Sequence, residues 1–338
     1  MNPIWVDEEG VLLGQGRHSE FDPGTGPDRY HTALQQLRHS GRPTGFASFT
    51  FDRDDHGSLL IVPEATTREL ALSPDSPPSG CRIVDDGVDL WRTGFGKAML
   101  EIETRRVEKV VLARQVRVEI PDGMTADGIL ARLLAGNPDC YLFSIAGLVG
   151  ASPELLVSLR NGRVRTLALA GTAVDPDQLE TAKIYEEHRH VANSVTGVLE
   201  RHITTVDVTE QVVVPHGVMS HIGTRIEGPA RPGTTVADIL ADLHPTAAVA
   251  GSPTDSAIDL IREIEPGSRG RYAGPVGWMG ADGDGVFAIA LRCGQIDGST
   301  MILYAGGGLV DGSEEKSELE ETELKLAPML AALGQPPS

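Results

Sequence analysis

The sequence predicts an α+β fold with large, mainly antiparallel sheets flanked by helices. Segments with strand-like patterns mostly follow one another directly, and amphipathic helices occur between groups of strands. The regular strand–helix alternation that builds a parallel Rossmann sheet is not found in the sequence. The 338 residues, 40% of them hydrophobic, are enough for a large core, and α/β chains of this length can form a single domain.

The N-terminal part of the chain, residues 1–90, is rich in turns. The segments "FDPGTGPDRY" and "LSPDSPPSG" have the composition of loops and linkers. Between them, "TGFASFTFD" and "GSLLIVPEA" predict a pair of strands. From Trp91 onward the pattern of strands and helices becomes denser.

The later elements follow from hydrophobic periodicity. Apolar alternation and short apolar runs predict strands at Lys109–Ile120, Cys140–Ala146, Glu154–Leu159, Val164–Ala170, Val212–Val214, Val218–Ile226, Tyr272–Gly280, Gly285–Arg292 and Thr300–Ala305. Helical periodicity predicts helices at Thr125–Ala135, Leu179–His202, Thr234–Leu243, Pro253–Ile264 and Glu315–Leu333. Two of these strands are predicted to end at glycines, one at Gly171 and one at Gly306.

The charge and cysteine content exclude several classes of function. The net charge is −19 without any Lys/Arg run, and nucleic-acid binding needs clustered cations. An acidic surface also argues against docking on anionic lipid. The three cysteines, Cys81, Cys140 and Cys293, form no CxxC pair and no zinc pattern. No secretory leader or membrane-spanning run is recognisable, so we expect a cytoplasmic protein with reduced thiols.

A lysine stands at the start of the predicted strand "EKVVLAR". The run from Val110 to Ala113 is apolar, as in a strand that is covered on both faces. An ammonium group is poorly accommodated there, which leaves two interpretations of Lys109. It is either a strand-edge lysine that reaches solvent or a lysine whose pKa is lowered by burial for use in catalysis.

Two predicted helices carry carboxylates in unusual places. In Leu179–His202, Glu187 lies on the apolar stripe, so it either reaches solvent at the edge or has a cation or metal partner. In the last helix, Glu318, Glu321 and Lys325 share one face, which is also common on solvated, salt-bridged helices. Carboxylates from two such helices could together bind Mg²⁺, which prefers oxygen ligands.

Glycine clusters and one histidine complete the candidate sites. "LALAGTAV" and "ILYAGGGLV" place glycines where backbone N–H groups can approach an anion closely, although a turn or bulge explains each cluster alone. His244 in "HPTAAVAG" is either a catalytic group or a hydrogen-bonded turn histidine. No GxxxxGK[ST] loop is present, so nucleotide hydrolysis has no support.

In order, the chain contains "KVVLAR", "GASPELLVS", "LALAGTA", "EEH", "HPTAAVAGSP", "RYAGPVGW", "ALRCG", "YAGGGLV" and "SELEETELK". This ordered set closely resembles the chorismate-utilising enzymes, which include isochorismate, salicylate, anthranilate and aminodeoxychorismate synthases. The resemblance covers Trp91 to the C-terminus. It implies one large chorismate-binding domain, like that of anthranilate synthase component I, with two packed, mainly antiparallel sheets and helices outside. Residues 1–90 would be a variable part of that fold, and residues 91–338 the catalytic region.

The resemblance also implies site residues. Its members bind chorismate with Mg²⁺, and the matched metal ligands are Glu187 and Glu321, with Glu318 assisting. Tyr272 and Arg292 match the residues that hold the enolpyruvyl carboxylate. The matched positions that contact substrate are Gly171, Thr172, His244, Tyr272, Arg292, Gly306, Gly308 and Lys325.

The nucleophile separates the family members. Ammonia-using anthranilate synthases carry Gln at the position of Lys109, whereas the water-using enzymes carry Lys. Lys109 then resembles the general base that activates water for attack at C2 of chorismate. Glu154 of "SPEL" matches the general acid that protonates the departing C4 hydroxyl.

These similarities favour an isochorismate synthase. The alternatives are a salicylate synthase, which also eliminates pyruvate, and a catalytically silent chorismate-binding subunit. The pair Ala248–Val249 favours the isochorismate synthase, because salicylate and anthranilate synthases more often have Thr in this pair. No GxCxG glutaminase elbow is present, so the chain carries no ammonia source of its own. We expect a monomer, and we expect that it needs no glutaminase subunit. The product could feed menaquinone, siderophore or salicylate synthesis.

Overall fold

The computed structural model describes residues 2–69, 80–173, 182–209, 211–216 and 219–335. At 170–173, 182–188, 190, 214–216 and 219 it describes the backbone alone. The helices are α1 (Arg29–Ser40), α2 (Val88–Glu103), α3 (Ala126–Gly136), α4 (Ala182–Leu199), α5 (Val236–Leu243), α6 (Thr254–Ile264) and α7 (Glu315–Ala332).

The strands are β1 (Ile4–Asp7), β2 (Gly10–Phe21), β3 (Thr44–Ser48), β4 (Leu59–Thr67), β5 (Arg82–Asp85), β6 (Lys109–Glu119), β7 (Tyr141–Ile145), β8 (Leu148–Ser152), β9 (Leu155–Arg160), β10 (Arg163–Ala173), β11 (Asp207–Val208), β12 (Val212–His216), β13 (Met219–Pro229), β14 (Gly251–Ser252), β15 (Pro275–Gly280), β16 (Gly285–Ile289), β17 (Cys293–Asp297) and β18 (Thr300–Val310).

The strands form one connected antiparallel network. One half runs β6–β18–β17–β8–β7, and the other runs β4–β3–β15–β16–β9–β10–β13. β1 and β2 join the halves, because β1 pairs with β7 and β2 pairs with β4. The predicted α+β class with antiparallel sheets and outer helices is confirmed, and the two expected sheets are halves of one continuous sheet.

Two hydrophobic cores cover the sheet. The larger core collects α1, α2, α5 and α6 with strands from both halves, and Trp91, Phe143 and Phe287 are among its buried members. The smaller core packs α3 and α7 on the β6–β18 half, through residues such as Ile129 and Met329. Residues before 91 therefore share their sheet and their core with residues after it.

Several element predictions were wrong. The helices α1 and α2 were missed, and so were short strands such as β8, β14 and β17. The strand predicted to begin at Tyr272 begins at Pro275, and the one predicted to reach Arg292 ends at Ile289. The strand predicted to stop before Gly306 continues to Val310, because its glycines pair with β6 along their whole length. Within the described residues, no helix is long and apolar enough to cross a membrane.

Candidate active site

The glycine run of β18 forms the floor of the candidate site. Gly306 pairs with Ala113 and Gly308 pairs with Val111, so the run is regular sheet and not a turn. A Cβ at Gly306 would lie 2.8 Å from the Tyr272 hydroxyl, and one at Gly308 would lie 2.7 Å from Cε of Lys109. Both distances are too short for a side chain. The glycines therefore allow the two polar side chains to lie directly against the strand.

Lys109 begins β6, where it pairs with Val310 on one side and with Ser252 of β14 on the other. Its ammonium nitrogen is 3.3 Å from the position that a Cβ of Gly308 would occupy. The side chain is half-buried and lies over the glycine floor. This position fits a lysine that is used in catalysis better than it fits a strand-edge lysine that reaches solvent.

Glu154 lies in the link between β8 and β9. Its backbone is fixed on both sides, since its N–H donates to Ser152 Oγ (3.2 Å) and its carbonyl accepts from Ile289 N–H (3.1 Å). Burial raises the pKa of Glu154 to about 7, and Lys109 and Lys325 only partly oppose this increase. The carboxyl group therefore carries a proton in an appreciable fraction of molecules at neutral pH, as a general acid must.

Tyr272 and Arg292 lie on two segments that meet next to the floor, since Ala273 N–H donates to Ala290 O (2.9 Å). The Tyr272 ring stacks on Tyr304 at a centroid distance of 4.8 Å. The backbone is strained at this junction, because Ala273 and Arg292 have φ values of 60° and 46°. Such strain in non-glycine residues is concentrated at functional sites.

Arg292 is buried, with 9% of its surface exposed. Burial lowers the pKa of Arg292 to about 10, while Tyr272, Cys140 and Glu321 oppose the shift. The group stays a cation at neutral pH. A buried guanidinium beside a tyrosine hydroxyl is well suited to bind a carboxylate in two parallel hydrogen bonds.

The helix α7 brings Glu318, Glu321 and Lys325 to the same floor. Lys325 Nζ donates to Gly306 O (2.7 Å) and forms an ion pair with Glu321. Glu318 accepts from Ser313 Oγ (2.8 Å), and its Oε2 lies 3.3 Å from a Cβ position at Gly307. Burial and the neighbouring Glu321 carboxylate raise the pKa of Glu318. The one-face arrangement predicted for these three residues is therefore found in the structure.

The remaining predicted residues are placed differently. Gly171 and Thr172 lie in a bulge of β10, where the register to β13 shifts between Ala170 and Ala173. The backbone of Glu187 is in α4, but its side chain lies outside the described part of the structure. The predicted contacts of Gly171 and Thr172 with the substrate, and of Glu187 with the metal, therefore stay predictions.

His244 is engaged within the protein. Its Nε2 lies 3.0 Å from Ala273 O and its Nδ1 lies 3.2 Å from the Tyr30 hydroxyl. Burial lowers the pKa of His244 to about 3, so the ring is neutral, with Nε2–H donating and Nδ1 accepting. These contacts fit the hydrogen-bonded turn histidine, which here holds the residue that follows Tyr272.

The structure also contains a buried ion pair that the sequence pattern does not predict. Glu265 and Arg269 have side chains that are each 1% exposed, and Arg269 Nε donates to Glu265 Oε2 at 2.9 Å. Glu265 also accepts from Ala113 N–H, and Arg269 donates to Val111 O. The pair thus supports β6 directly beneath the glycine floor. Its i, i+4 spacing was the available signal, but that spacing is equally common on exposed helices.

Among the described residues, no group of three or more His, Cys, Asp or Glu side chains is arranged to bind a metal ion. Two carboxylates on α7, those of Glu318 and Glu321, are close enough for one to raise the pKa of the other. Carboxylate oxygens in this relation are suitable ligands for a hard divalent cation, which would relieve their repulsion.

Comparison with known proteins gives a consistent result. A family model described as "Chorismate binding enzyme" matches residues 65–334. The chain is 36% identical over 262 residues to isochorismate synthase MenF of Bacillus subtilis, covering 73% of this chain but only 56% of that protein. It is 33% identical over 365 residues to isochorismate synthase DhbC of Bacillus subtilis, covering 96% and 91%.

The fold is also similar to that of a solved structure. A crystal structure assigned to a 2,3-dihydroxybenzoate-specific isochorismate synthase, DhbC, from Bacillus anthracis superimposes with a TM-score of 0.86 at 28% identity. The match covers 99% of this chain and 96% of that one. The similarity therefore includes the N-terminal residues as well as the region that carries the motifs.

Proposed function

The chain belongs to the chorismate-binding enzymes, and on that premise we propose that it is an isochorismate synthase, an isomerase that converts chorismate to isochorismate. One observation carries the proposal beyond the family. Lys109 lies over the glycine floor, and Glu154, whose pKa is raised to about 7, is close enough to Lys109 for that charge to act on it. A base and an acid in one site are what water addition with loss of a hydroxyl group requires.

In the proposed reaction, Lys109 takes a proton from the water that attacks C2 of the ring. Glu154 gives a proton to the C4 hydroxyl, which leaves as water. The two proton transfers balance, so the product is an isomer of the substrate. The link between β8 and β9 holds Glu154 by two backbone hydrogen bonds, which keeps the acid in a fixed position.

Substrate binding is proposed to depend on the carboxylates of chorismate. Arg292 and the Tyr272 hydroxyl would hold the enolpyruvyl carboxylate, with backbone N–H groups near Gly306 and Gly308 assisting. The strained backbone at Arg292 supports this role, because strained conformations of non-glycine residues cluster at functional sites. The bulge at Gly171 would supply a backbone contact to the ring carboxylate.

We propose Mg²⁺ as the cofactor, bound by Glu321 and Glu187 with Glu318 assisting. The mutual repulsion of the two α7 carboxylates supports a cation between them. When bound, the ion would neutralise the ring carboxylate of the substrate. Lys325, paired with Glu321 and with Gly306 O, would hold the Glu321 side chain and the floor together.

We also propose that the protein is a cytoplasmic monomer and that it acts without a glutaminase subunit. A salicylate synthase is the second candidate, since it would use the same lysine and acid. Ala248 and Val249, in the segment after His244, favour the isochorismate synthase.

Product analysis tests the function. The protein is incubated with chorismate and Mg²⁺, and the product is identified by mass and fluorescence. A non-fluorescent isomer of unchanged mass is expected. Fluorescent salicylate would instead identify the second candidate, and absence of turnover by the folded protein would contradict both.

A variant of Lys109 tests the proposed general base. Lys109→Gln should reduce isochorismate formation by about 10²–10⁴-fold, because general base catalysis is lost. Chorismate affinity should change little, as measured by fluorescence titration. Near wild-type turnover would show that Lys109 is only a strand-edge residue.

A further inference from the structure

The backbone next to Tyr272 is strained and is held by two hydrogen bonds. Ala273 has a φ value of 60°, a conformation that is unfavourable for a residue with a Cβ atom. Its N–H donates to Ala290 O at 2.9 Å, and its carbonyl oxygen lies 3.0 Å from Nε2 of His244. The first bond joins two backbone segments, whereas the second comes from a side chain. The His244 ring therefore helps to hold the peptide group that follows Tyr272.

The directions of the hydrogen bonds define the state of His244. A carbonyl oxygen can only accept, so Nε2 carries the proton that His244 donates to Ala273 O. Burial and the nearby charge of Arg29 keep the pKa of His244 low, so the ring is neutral and Nδ1 is an acceptor. The Tyr30 hydroxyl lies 3.2 Å from Nδ1 and must then be the donor.

The Tyr30 hydroxyl is itself oriented by a buried cation. Arg29 Nη2 donates to the Tyr30 oxygen at 2.8 Å, so the hydroxyl proton is directed towards the histidine. The Arg29 guanidinium also donates to both oxygens of Thr50 and to Asp52 O. Arg29 and Tyr30 are only 1% and 2% exposed, so this arrangement is buried. The chain of donors therefore runs from Arg29 through Tyr30 to the histidine and on to the strained peptide group.

This chain of donors connects the N-terminal region with the candidate site. Tyr30 is the second residue of α1 and precedes every sequence motif that resembles the chorismate-utilising enzymes. At the other end, the Tyr272 hydroxyl lies against the glycine floor, 2.8 Å from the Cβ position at Gly306. A rotation of the peptide group after Tyr272 would move that hydroxyl relative to the floor. The position of the Tyr272 hydroxyl thus depends on contacts that begin in α1.

We propose that Tyr30 is a positioning residue for substrate binding, because its hydroxyl orients His244, which holds Ala273 and thereby the Tyr272 hydroxyl in place. The inference rests on the proposed function, in which Tyr272 and Arg292 hold the enolpyruvyl carboxylate of chorismate. Tyr30 touches no substrate and takes part in no proton transfer. Loss of its hydroxyl should therefore weaken chorismate binding more than it slows turnover.

The first test is Tyr30→Phe, which removes the hydroxyl and keeps the ring that packs on Phe49 at a centroid distance of 4.6 Å. KM and the dissociation constant of chorismate should both rise about fivefold to tenfold, as for the loss of one hydrogen bond, with kcat within about twofold of wild type. Tyr141→Phe is the matched control, since it removes a hydroxyl from a tyrosine that stacks on Trp5, and KM should not change. A wild-type KM in Tyr30→Phe, or an equal rise in the control, would overturn the proposal.

A double-mutant cycle separates positioning from a general structural effect. Tyr272→Phe lacks the hydroxyl through which Tyr30 is proposed to act. In that background, Tyr30→Phe should raise the dissociation constant of chorismate by less than about twofold, so the two effects should not add. Equal effects of Tyr30→Phe in both backgrounds would overturn the proposal, because Tyr30 would then not act through Tyr272.

A measurement without substrate tests the chain of donors itself. In protein labelled with nitrogen-15 at histidine, the His244 signals are assigned by comparison with His244→Asn. Nε2 should be protonated and Nδ1 unprotonated in the wild type, and the Nδ1 signal should shift in Tyr30→Phe, where its donor is lost. A protonated Nδ1 in the wild type, or an unchanged Nδ1 signal in the variant, would overturn the proposal.

These outcomes can be distinguished from failure of the proposed function. The chorismate affinities and the His244 signals need no turnover, so the expected changes would uphold the role of Tyr30 even if the product is salicylate. Formation of isochorismate together with additive effects in the cycle would overturn the role of Tyr30 alone.

Discussion

Two glutamates, the buried Glu265 and the half-buried Glu154, have opposite surroundings. Glu265 faces Arg269 in a bidentate ion pair and also accepts from Ala113 N–H, so its charge is compensated on every side. Glu154 lies against a largely apolar pocket, and the neighbouring charges of Lys109 and Lys325 act on it. The same side chain thus forms a buried ion pair in one place and has a raised pKa in the other.

The difference shows that burial alone does not determine the role of a glutamate side chain. A buried carboxylate with a matched cation contributes to structure, because removing either partner leaves an uncompensated charge. A buried carboxyl without direct partners has a raised pKa and can exchange a proton near neutral pH. Variants at the two positions should therefore affect activity and stability in opposite ways.

The largest expected effect is on turnover in Glu154→Gln. Loss of the general acid should reduce kcat by about 10²–10⁴-fold while chorismate still binds. Steady-state kinetics measured beside the circular dichroism spectrum would separate this from misfolding. If Glu154→Gln retained even a tenth of the wild-type kcat, the proposed acid would be wrong.

The converse variant is Glu265→Gln, which leaves Arg269 buried without its anion. The free energy of unfolding should fall by about 3–5 kcal/mol, as measured by urea denaturation. The double variant Glu265→Leu with Arg269→Met should recover much of this loss, since an apolar pair leaves no buried charge. Equal stability of Glu265→Gln and wild type would show that the pair does not support β6.

A smaller effect is expected at the substrate carboxylate. Arg292→Lys keeps the positive charge but cannot form two parallel N–H···O bonds. KM should rise by up to about a hundredfold, equivalent to about 2–3 kcal/mol, with little change in kcat. An unchanged KM would mean that Arg292, like Arg269, has a structural role and does not bind the substrate.

The last effect concerns the dependence of stability on pH. The pKa of Glu154 is raised from 4.5 to about 7 in the folded protein, so the folded state binds this proton more tightly than the unfolded state. Its contribution to stability is complete at low pH and is lost as pH rises through that interval. At pH 8, Glu154→Gln should be more stable than wild type by about 3 kcal/mol, and at pH 4 the two should be nearly equal. Equal stability at both pH values would mean that Glu154 is not desolvated.

The sequence motifs predicted residues that the structure brings close together, because the chemistry-bearing residues occur in short ordered segments. Lys109, Tyr272 and the α7 residues meet at one glycine floor, as the motifs implied. The glycines themselves were misjudged as a strand end, since β6 provides a partner that overrides the low strand preference of glycine.

Other features depend on contacts between distant segments. The helix α2 buries Trp91, Phe95, Ala98 and Ile102 at helical spacing, but Gly94 and Gly96 weaken that signal. The raised pKa of Glu154 arises where β9, β10 and α4 close around it, and Glu265 is recognisable only once Arg269 and β6 surround it. Local pattern could not reveal these partners, because neither burial nor pairing is a property of one segment.

The most direct test of the whole account is turnover of chorismate by the wild-type protein in water enriched in oxygen-18. If Lys109 activates solvent water for attack at C2 and Glu154 expels the C4 hydroxyl, every isochorismate molecule should carry one solvent oxygen at C2 and the C4 oxygen should be released. Mass spectrometry of the product would give this result directly. Isochorismate without the label would contradict the account, because the hydroxyl would then have moved within the substrate.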